Sequence, residues 1–261
     1  MFLAIDIGNT HIVLGCLDEK NEVSDRMQLS TDRNETAWEY AAEIREILAL
    51  QKIAPESITE SVLSSVVPEV AVSVSEAIRI LTGKSPFILG KNARIQLPVE
   101  MNGLPAEAIA GDLLATAAAA VEYYPLPAVI IDIGTAATVT VVSRSGAYIG
   151  GCILPGPGTA LKGLIQDTAL LPAVDFSAPD RAIAKDTVNA IKSGMIYGSA
   201  GQLDGIIDHF IEELGEEPPT IVATGGMGRI IAPFCRHTIT IDNDMLLKGL
   251  GLILRDSLLP G

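Results

Sequence analysis

The 261-residue sequence predicts an α/β protein built from two related halves. Three observations carry that expectation. Strand-length apolar runs alternate with segments of helical periodicity along the chain. The run Phe2-Leu3-Ala4-Ile5-Asp6-Ile7-Gly8 recurs 126 residues later as Ala128-Val129-Ile130-Ile131-Asp132-Ile133-Gly134, and Ile12-Val13-Leu14 then falls on Thr138-Val139-Thr140. An identical Asp-Ile-Gly closes an apolar strand in both copies, each followed by a small hydroxyl or amide residue and a second strand. Each half therefore opens with a hairpin whose tip carries Asp-x-Gly.

In chain order, residues 2–7, 11–17 and 22–29 read as strands, the first two joined by a turn at Gly8-Asn9. Residues 35–51 read as an amphipathic helix, with Ala37, Tyr40, Ala41, Ile44, Ile47 and Leu48 on one face and Asn34 or Thr36 near its start. A strand at 59–66 stops at Pro68, a helix runs on to about Leu81, and a short strand covers 86–89. The stretch 90–109 reads as irregular, and an alanine-rich helix at 112–123 is stopped by Pro125 and Pro127. Strands at 128–133, 137–143 and 147–154 follow, broken by Pro155-Gly156-Pro157-Gly158. Helices at 159–168 and 187–214, a strand at 219–224, a helix after Gly226, a strand at 237–241 and a helix at 244–255 complete the expectation.

Composition excludes several classes. With 48% hydrophobic and 19% charged residues, the chain has the makings of a large core and not of a disordered segment. Its net charge of −14 is spread over the length, with 9 basic and 18 acidic residues up to Ile130 and 9 and 14 beyond. No basic patch is available for duplex nucleic acid or an anionic membrane, although a nest of backbone N–H groups can still hold a small anion. Cys16, Cys152 and Cys235 are odd in number and far apart, which argues against a disulfide framework, a zinc ribbon or an iron–sulfur cluster. They read as small apolar residues of a reducing cytoplasm. Asp6 interrupts the first apolar run and no basic region precedes it, so no signal peptide is read, and no run has the length of a membrane span.

The two tips suggest phosphate chemistry. Glycine lets backbone approach a phosphate and reach positive φ, while successive N–H groups and the Thr10 hydroxyl can donate to its oxygens. An Asp at the strand end is an oxygen ligand for Mg²⁺, directly or through water. A single Asp-Gly-Asn tip is also ordinary turn chemistry; two copies at equivalent places favour a phosphate clamp. Gly158-Thr159-Ala160-Leu161-Lys162-Gly163 starts like a Walker A loop but has Leu164 and Ile165 where Lys and Ser/Thr are needed. Thr224-Gly225-Gly226 follows an apolar strand and precedes a helix, which suits close packing against a ribose or adenine, and equally a tight turn. Asp112 opens its helix after Gly111; the helix dipole would keep it ionised and ready to accept a proton, and a plain N-cap is the other reading. His11 and His209 show no neighbouring acid or nucleophile pattern and read as structural or surface residues.

A strand-borne Asp-x-Gly-Asn-Thr, a second Asp-x-Gly-Thr at mid-chain and a late Thr-Gly-Gly resemble the actin, Hsp70 and sugar-kinase superfamily, and at this length the type III pantothenate kinase family. Ser30-Thr31-Asp32-Arg33, Ser64-Ser65-Val66-Val67-Pro68, Gly150-Gly151-x-Ile153-x-Pro155-Gly156 and Asp186-Thr187 match as well, so the resemblance runs in order through nearly the whole chain. It implies two actin-like (ribonuclease H-like) halves, each a mixed β-sheet with flanking helices, with an ATP cleft between them and a division at 1–115 and 116–261. It implies a kinase that transfers the γ-phosphoryl of ATP to the primary alcohol of pantothenate, the first step towards coenzyme A. The first phosphate loop would be Asp6, Ile7, Gly8, Asn9, Thr10, His11, Ile12 and Val13. Gly134 and Thr135 would meet ATP at the second tip, and Thr224, Gly225 and Gly226 would meet its adenosine. Asp132 would help bind a monovalent cation, K⁺ or NH₄⁺, and Asp6 would serve Mg²⁺. Asp112 would be the general base, with Ala110, Gly111, Leu113 and Thr187 around the acceptor.

Two positions depart from the family pattern. Its substrate loop ends Gly-Ala-Asp-Arg, whereas this chain reads Ala110-Gly111-Asp112-Leu113, and leucine cannot clasp a carboxylate. A tyrosine about a dozen residues earlier is also missing from 99–104. Arg33, Lys91, Arg94 and Lys162 are the cations that could substitute. Three readings stay open: a pantothenate kinase with a rearranged carboxylate site, a paralogue acting on another small alcohol, or a nucleotide-binding regulator without catalysis. Finally, Gly194, Gly198, Gly201 and Gly205 draw one helical face within 187–214. Four interior glycines cost roughly 3–4 kcal/mol relative to alanine, which suggests close approach by another element or a break in the helix. The resemblance implies a homodimer.

Overall fold

The computed structural model describes residues 1–100, 109–215 and 218–259. Contacts divide the chain into two compact units, Met1–Glu122 with Asp244–Gly261, and Tyr123–Asn243. The division thus falls at the last residue of the alanine-rich helix rather than at 115/116, and the last helix belongs with the first half. The expected irregular stretch 90–109 shows no helix or strand over its described residues 90–100 and 109, while its residues 101–108, and with them most of the tyrosine-free segment 99–104, lie outside the described residues.

The first unit is a five-stranded sheet covered on both faces. Strands β1 (Phe2–Ile7), β2 (His11–Leu17) and β3 (Val23–Ser30) form an antiparallel meander, while β4 (Glu60–Ser65) and β5 (Phe87–Ile88) run parallel to β1, giving the order β3-β2-β1-β4-β5. Side chains alternate across β1, so Leu3, Ile5 and Ile7 meet α1 (Ala37–Leu50) and α2 (Pro68–Thr82) through Tyr40, Ile44, Val74 and Ile78. Ala4 takes the opposite face, with Ala115 of α3 (Gly111–Tyr123) and Leu247, Leu250 and Leu254 of α7 (Met245–Leu258). Both faces of β1 are buried, which is why its sequence is almost unbroken apolar residues. At the start of α1 the structure selects Thr36 over Asn34: Thr36 Oγ1 accepts from Glu39 N and the Glu39 carboxylate accepts from Thr36 N, a capping box.

The second unit repeats the plan. Strands β6 (Ala128–Ile133), β7 (Ala136–Val142) and β8 (Tyr148–Pro155) are the antiparallel meander, and β9 (Thr220–Thr224) and β10 (Thr240–Ile241) extend it in parallel on the β6 side. Val129, Ile131 and Ile133 pack against Ile196, Ala200, Leu203 and Ile207 of α5 (Thr187–Leu214). Between them, α4 (Pro157–Gln166) starts on its proline, two residues earlier than expected, because the ring suits a first helical position. The helix after Gly226 is a four-residue turn, α6 (Gly228–Ile231), and the expected strands at 86–89 and 237–241 shrink to two residues each.

The repeat needs one correction. The last β1–β2 pair is Ile7 with Ile12, whereas the last β6–β7 pair is Ile133 with Ala137. The second tip is one residue shorter, so the offset of 126 holds for the first strands and becomes 125 for the second. The sequences of buried and exposed positions in β2 and β7 then coincide, and both strands shift register at the same point, Cys16/Leu17 and Val141/Val142.

Candidate active site

The first tip is residues 8–11, closed by Gly8 N–H donating to His11 O at 2.9 Å. Ile7 and Ile12 are fully buried and anchor it, so at those two positions only backbone could meet a phosphate. Asn9, Thr10 and His11 are exposed, and Asp6 and Val13 are half-buried neighbours across the β1–β2 ladder. The second tip is Gly134-Thr135-Ala136, all exposed, closed by Gly134 N–H donating to Ala136 O at 2.9 Å. Neither tip glycine takes positive φ, contrary to expectation. Their N–H groups close the two turns without a left-handed conformation.

Each tip aspartate has a hydroxyl residue beside it on a parallel strand: Asp6 pairs in register with Ser64, and Asp132 with Thr224. Gly225, which follows Thr224, has φ +84°, and a Cβ there would lie 2.6 Å from Ile133 O and would also overlap Asp132 Oδ1. The Thr-Gly-Gly turn is therefore packed directly onto the second tip, which only glycine allows.

Asp112 lies in the first unit, in the opening turn of α3. A Cβ on Gly111 would stand 3.1 Å from Ser64 Oγ and 3.0 Å from a methyl of Leu89. The segment carrying Asp112 therefore packs on the residue that flanks Asp6. Among the described residues, Ser64 Oγ is buried without a hydrogen-bond partner, at the junction of the two. α3 is held from behind by α7, where Gly249 leaves room for the backbone of Ala115. Asp112 Oδ1 accepts from Leu113 N at 2.9 Å, yet burial pushes its carboxyl above the ordinary 3.8. The expected hold of the helix dipole on the ionised form is outweighed by desolvation. A carboxyl raised by burial is a stronger base than an ordinary aspartate. Ala110 is exposed, its carbonyl accepting from Leu113 N at 3.1 Å, and Leu113 is half-buried. Thr187 is exposed in the second unit, in the first turn of α5, where Asp186 caps Asn189 N at 2.9 Å.

Of the candidate cations, Arg33 faces Glu69 at 3.9 Å, and Arg94 is tied to the chain end through Ser257 Oγ and Leu259 O. Lys162 is in the second unit. Lys91 lies two residues beyond Leu89, the residue that packs on Gly111. His209 does have an acid nearby, Glu212 at 3.6 Å, but both are exposed. Sequence reasoning missed His237, whose Nε2 lies 2.8 Å from Asp208 Oδ1 while Arg236 bonds Asp208 and the buried Asp204. The Asp204/Asp208 spacing of one helical turn was the available signal. This network ties the 236–237 loop to α5, and hydrogen bonds from His237 and Arg236 hold the Asp208 carboxyl below its ordinary value. Cys16 is buried, Cys152 and Cys235 half-buried, and all three are free thiols.

Among the described residues, no three His, Cys, Asp or Glu side chains cluster as a metal site. The half-buried carboxylate of Asp6 at the first tip is the kind of oxygen donor that fits Mg²⁺ held together with phosphates and water. No described helix is long and apolar enough to cross a membrane.

Two mixed five-stranded sheets with flanking helices, each with an Asp-x-Gly tip, define the actin-like class of ATPases and kinases. Solved structures agree on the fold: component A of (R)-2-hydroxyglutaryl-CoA dehydratase from Acidaminococcus fermentans aligns over 97% of this chain and 96% of its own with TM-score 0.56 and 14% identity. The activator of 2-hydroxyisocaproyl-CoA dehydratase from Clostridium difficile, solved with ADPNP, aligns over 98% and 94% with TM-score 0.51 and 14% identity. Within that class, the family model for type III pantothenate kinase matches residues 2–209, and the chain belongs to this family of kinases. Curated relatives of that description include one from Rhodospirillum centenum, 39% identical over 257 residues (97% of each chain), and one from Citrifermentans bemidjiense, 34% identical over 253 (97% of this chain, 98% of that one).

Proposed function

We propose that this chain transfers the γ-phosphoryl group of ATP to the primary hydroxyl of pantothenate, the first step towards coenzyme A. The observation that carries the reading is Asp112, a half-buried carboxylate of raised basicity packed beside the first phosphate tip through Gly111 and Ser64. It accepts the hydroxyl proton as the oxygen attacks phosphorus, while the tips hold phosphate oxygens on backbone N–H groups and on Thr10 and Thr135. Catalysis of phosphoryl transfer rests mostly on such positioning and charge stabilisation. Mg²⁺ would be held through Asp6, directly or through water, and supplies neutralisation of the phosphate charge; Asp132 would hold a monovalent cation, K⁺ or NH₄⁺. Thr224, Gly225 and Gly226 take the adenosine, and Thr187 contacts the acceptor. Lys91 supplies the carboxylate partner that Leu113 cannot.

The working molecule is a homodimer in the cytoplasm. Support comes from α5, an unbroken helix whose four glycines have, beyond the helix's own nearby backbone, no described atom within 4 Å of an added Cβ, leaving that face open for close backbone approach. The three free, widely spaced thiols suit a reducing compartment. Leu113 favours one competing reading, a paralogue kinase for another small alcohol. ADP release decides between them: pantothenate should raise it well above an ATP-only blank. Release with other small alcohols but not with pantothenate would give the acceptor to the paralogue reading.

A further inference from the structure

The segment that follows the third strand of each half fastens the phosphate tip, each time with one backbone rung and one threonine hydroxyl, although the two hydroxyls reach different tip carbonyls. Beyond β3, Thr31 N–H donates to Thr10 O at 3.0 Å, and Thr31 Oγ1 donates to Gly8 O at 2.7 Å. Beyond β8, Gly156 N–H donates to Thr135 O at 3.0 Å, and Thr159 Oγ1 donates to the same carbonyl at 2.6 Å. Thr31 and Gly156, like Thr10 and Thr135, are 125 residues apart, the same offset as the second strands. The backbone rung is simply the ladder continued, but the hydroxyl pin is additional, and each half supplies it from its own sequence.

Each pin is itself anchored. Fully buried Tyr40 donates its hydroxyl to Asp32 O at 2.7 Å and accepts from Asp32 N at 3.0 Å, fixing the chain next to Thr31 from the core. Thr159 sits in the first turn of α4, whose start at Gly156 has no room for a Cβ, since one would lie 2.5 Å from Thr135 O. A planar trans peptide sets the C=O of one residue and the N–H of the next on opposite edges. Holding the Gly8 carbonyl therefore presets the Asn9 N–H on the far side, and holding the Thr135 carbonyl does the same for Ala136.

We propose that Thr31 and Thr159 are paired positioning residues for ATP, their hydroxyls drawing the Gly8 and Thr135 carbonyls back so that the Asn9 and Ala136 N–H groups are preset for phosphate oxygens. The proposal rests on the reading that both tips bind ATP. Calorimetry of MgATP binding to the wild-type full chain tests that reading; Thr31→Val and Thr159→Val, which keep shape and lose the donor, test the pins. Each valine variant should weaken MgATP binding and raise KM for ATP by roughly 3- to 10-fold, the scale of one neutral hydrogen bond, with KM for pantothenate unchanged. Thr31→Ser and Thr159→Ser should restore both, and the double valine variant should show the product of the two effects. Valine variants with wild-type ATP constants, or serine variants as impaired as valine, overturn the pinning while the ATP reading stands. Failure of the wild type to bind MgATP overturns both. If one valine variant does not fold, the other half carries the same test.

Discussion

Gly225→Ala is the sharpest perturbation of the second tip. At φ +84° an L-residue costs roughly 1–2 kcal/mol more than glycine. The new methyl would also lie 2.6 and 2.7 Å from Ile133 O and N and overlap Asp132 Oδ1, against backbone that belongs to a central strand and cannot yield cheaply. Overpacking of this kind costs typically about 1–3 kcal/mol. Together these predict a loss of roughly 2–5 kcal/mol and a fall in Tm on the order of 10 °C for a chain of this size. Relieving the overlap turns or shifts the Asp132 carboxylate, and a displacement on the order of 1 Å at a reacting site can cost about 100-fold in rate. Circular dichroism melts give the first quantity; steady-state kinetics well below the melt give the second. Gly163→Ala is the control, because it sits within α4 with open space around its Cβ, and it should keep or slightly raise Tm. A Gly225→Ala protein with wild-type Tm and ATP kinetics would refute the packing argument.

Three further outcomes are expected. Asp112→Asn should lower kcat by roughly 10²–10⁴-fold while leaving ATP affinity nearly unchanged. It should also raise Tm at neutral pH, because burial lifts the carboxyl above 3.8, so ionising it costs stability that grows as pH rises from 3.8 towards its folded-state value and stays constant above that. That gain should vanish as pH falls below 3.8, where the carboxyl is protonated in both states, and a melt series against pH reads it directly. Leu113→Arg, restoring a guanidinium beside the base, should lower KM for pantothenate; an unchanged or higher KM would assign the carboxylate to Lys91 or to a different acceptor. Light scattering at micromolar concentration should give twice 27.4 kDa, and Gly201→Leu on the open face of α5 should give monomer, whereas an active wild-type monomer would contradict the dimer.

Most strands and helices could be read from the sequence because buried strands and amphipathic helices impose their own periods, 2 and 3.6, on apolar residues. β1 and β6 announced themselves as apolar runs ending in Asp-Ile-Gly. Boundaries failed where one residue outweighs periodicity: Pro157 starts α4 early, and β5 and β10 are two-residue edges with little pattern to show. The one-residue difference between the tips was hidden for a related reason. β2 and β7 share burial but not residue identity, so the slip from 126 to 125 emerges only from pairing register. At the site, the tips and Asp112 were legible as residue types. The packing of Ser64 on Gly111, of Gly225 on Asp132 and of Thr31 on Gly8 joins residues far apart in sequence, and no local pattern encodes it. The rise in the basicity of Asp112 was not legible because its helix position is local information, while its burial is not.

The central claim is phosphoryl transfer to pantothenate with Asp112 as base. ATP labelled in its γ-phosphoryl group, incubated with pantothenate and Mg²⁺, should pass the label onto the primary hydroxyl of pantothenate with the wild-type chain and only at trace rate with Asp112→Asn. Label that stays on ATP or appears as free phosphate with folded wild-type protein, or equal transfer by Asp112→Asn, would contradict the account.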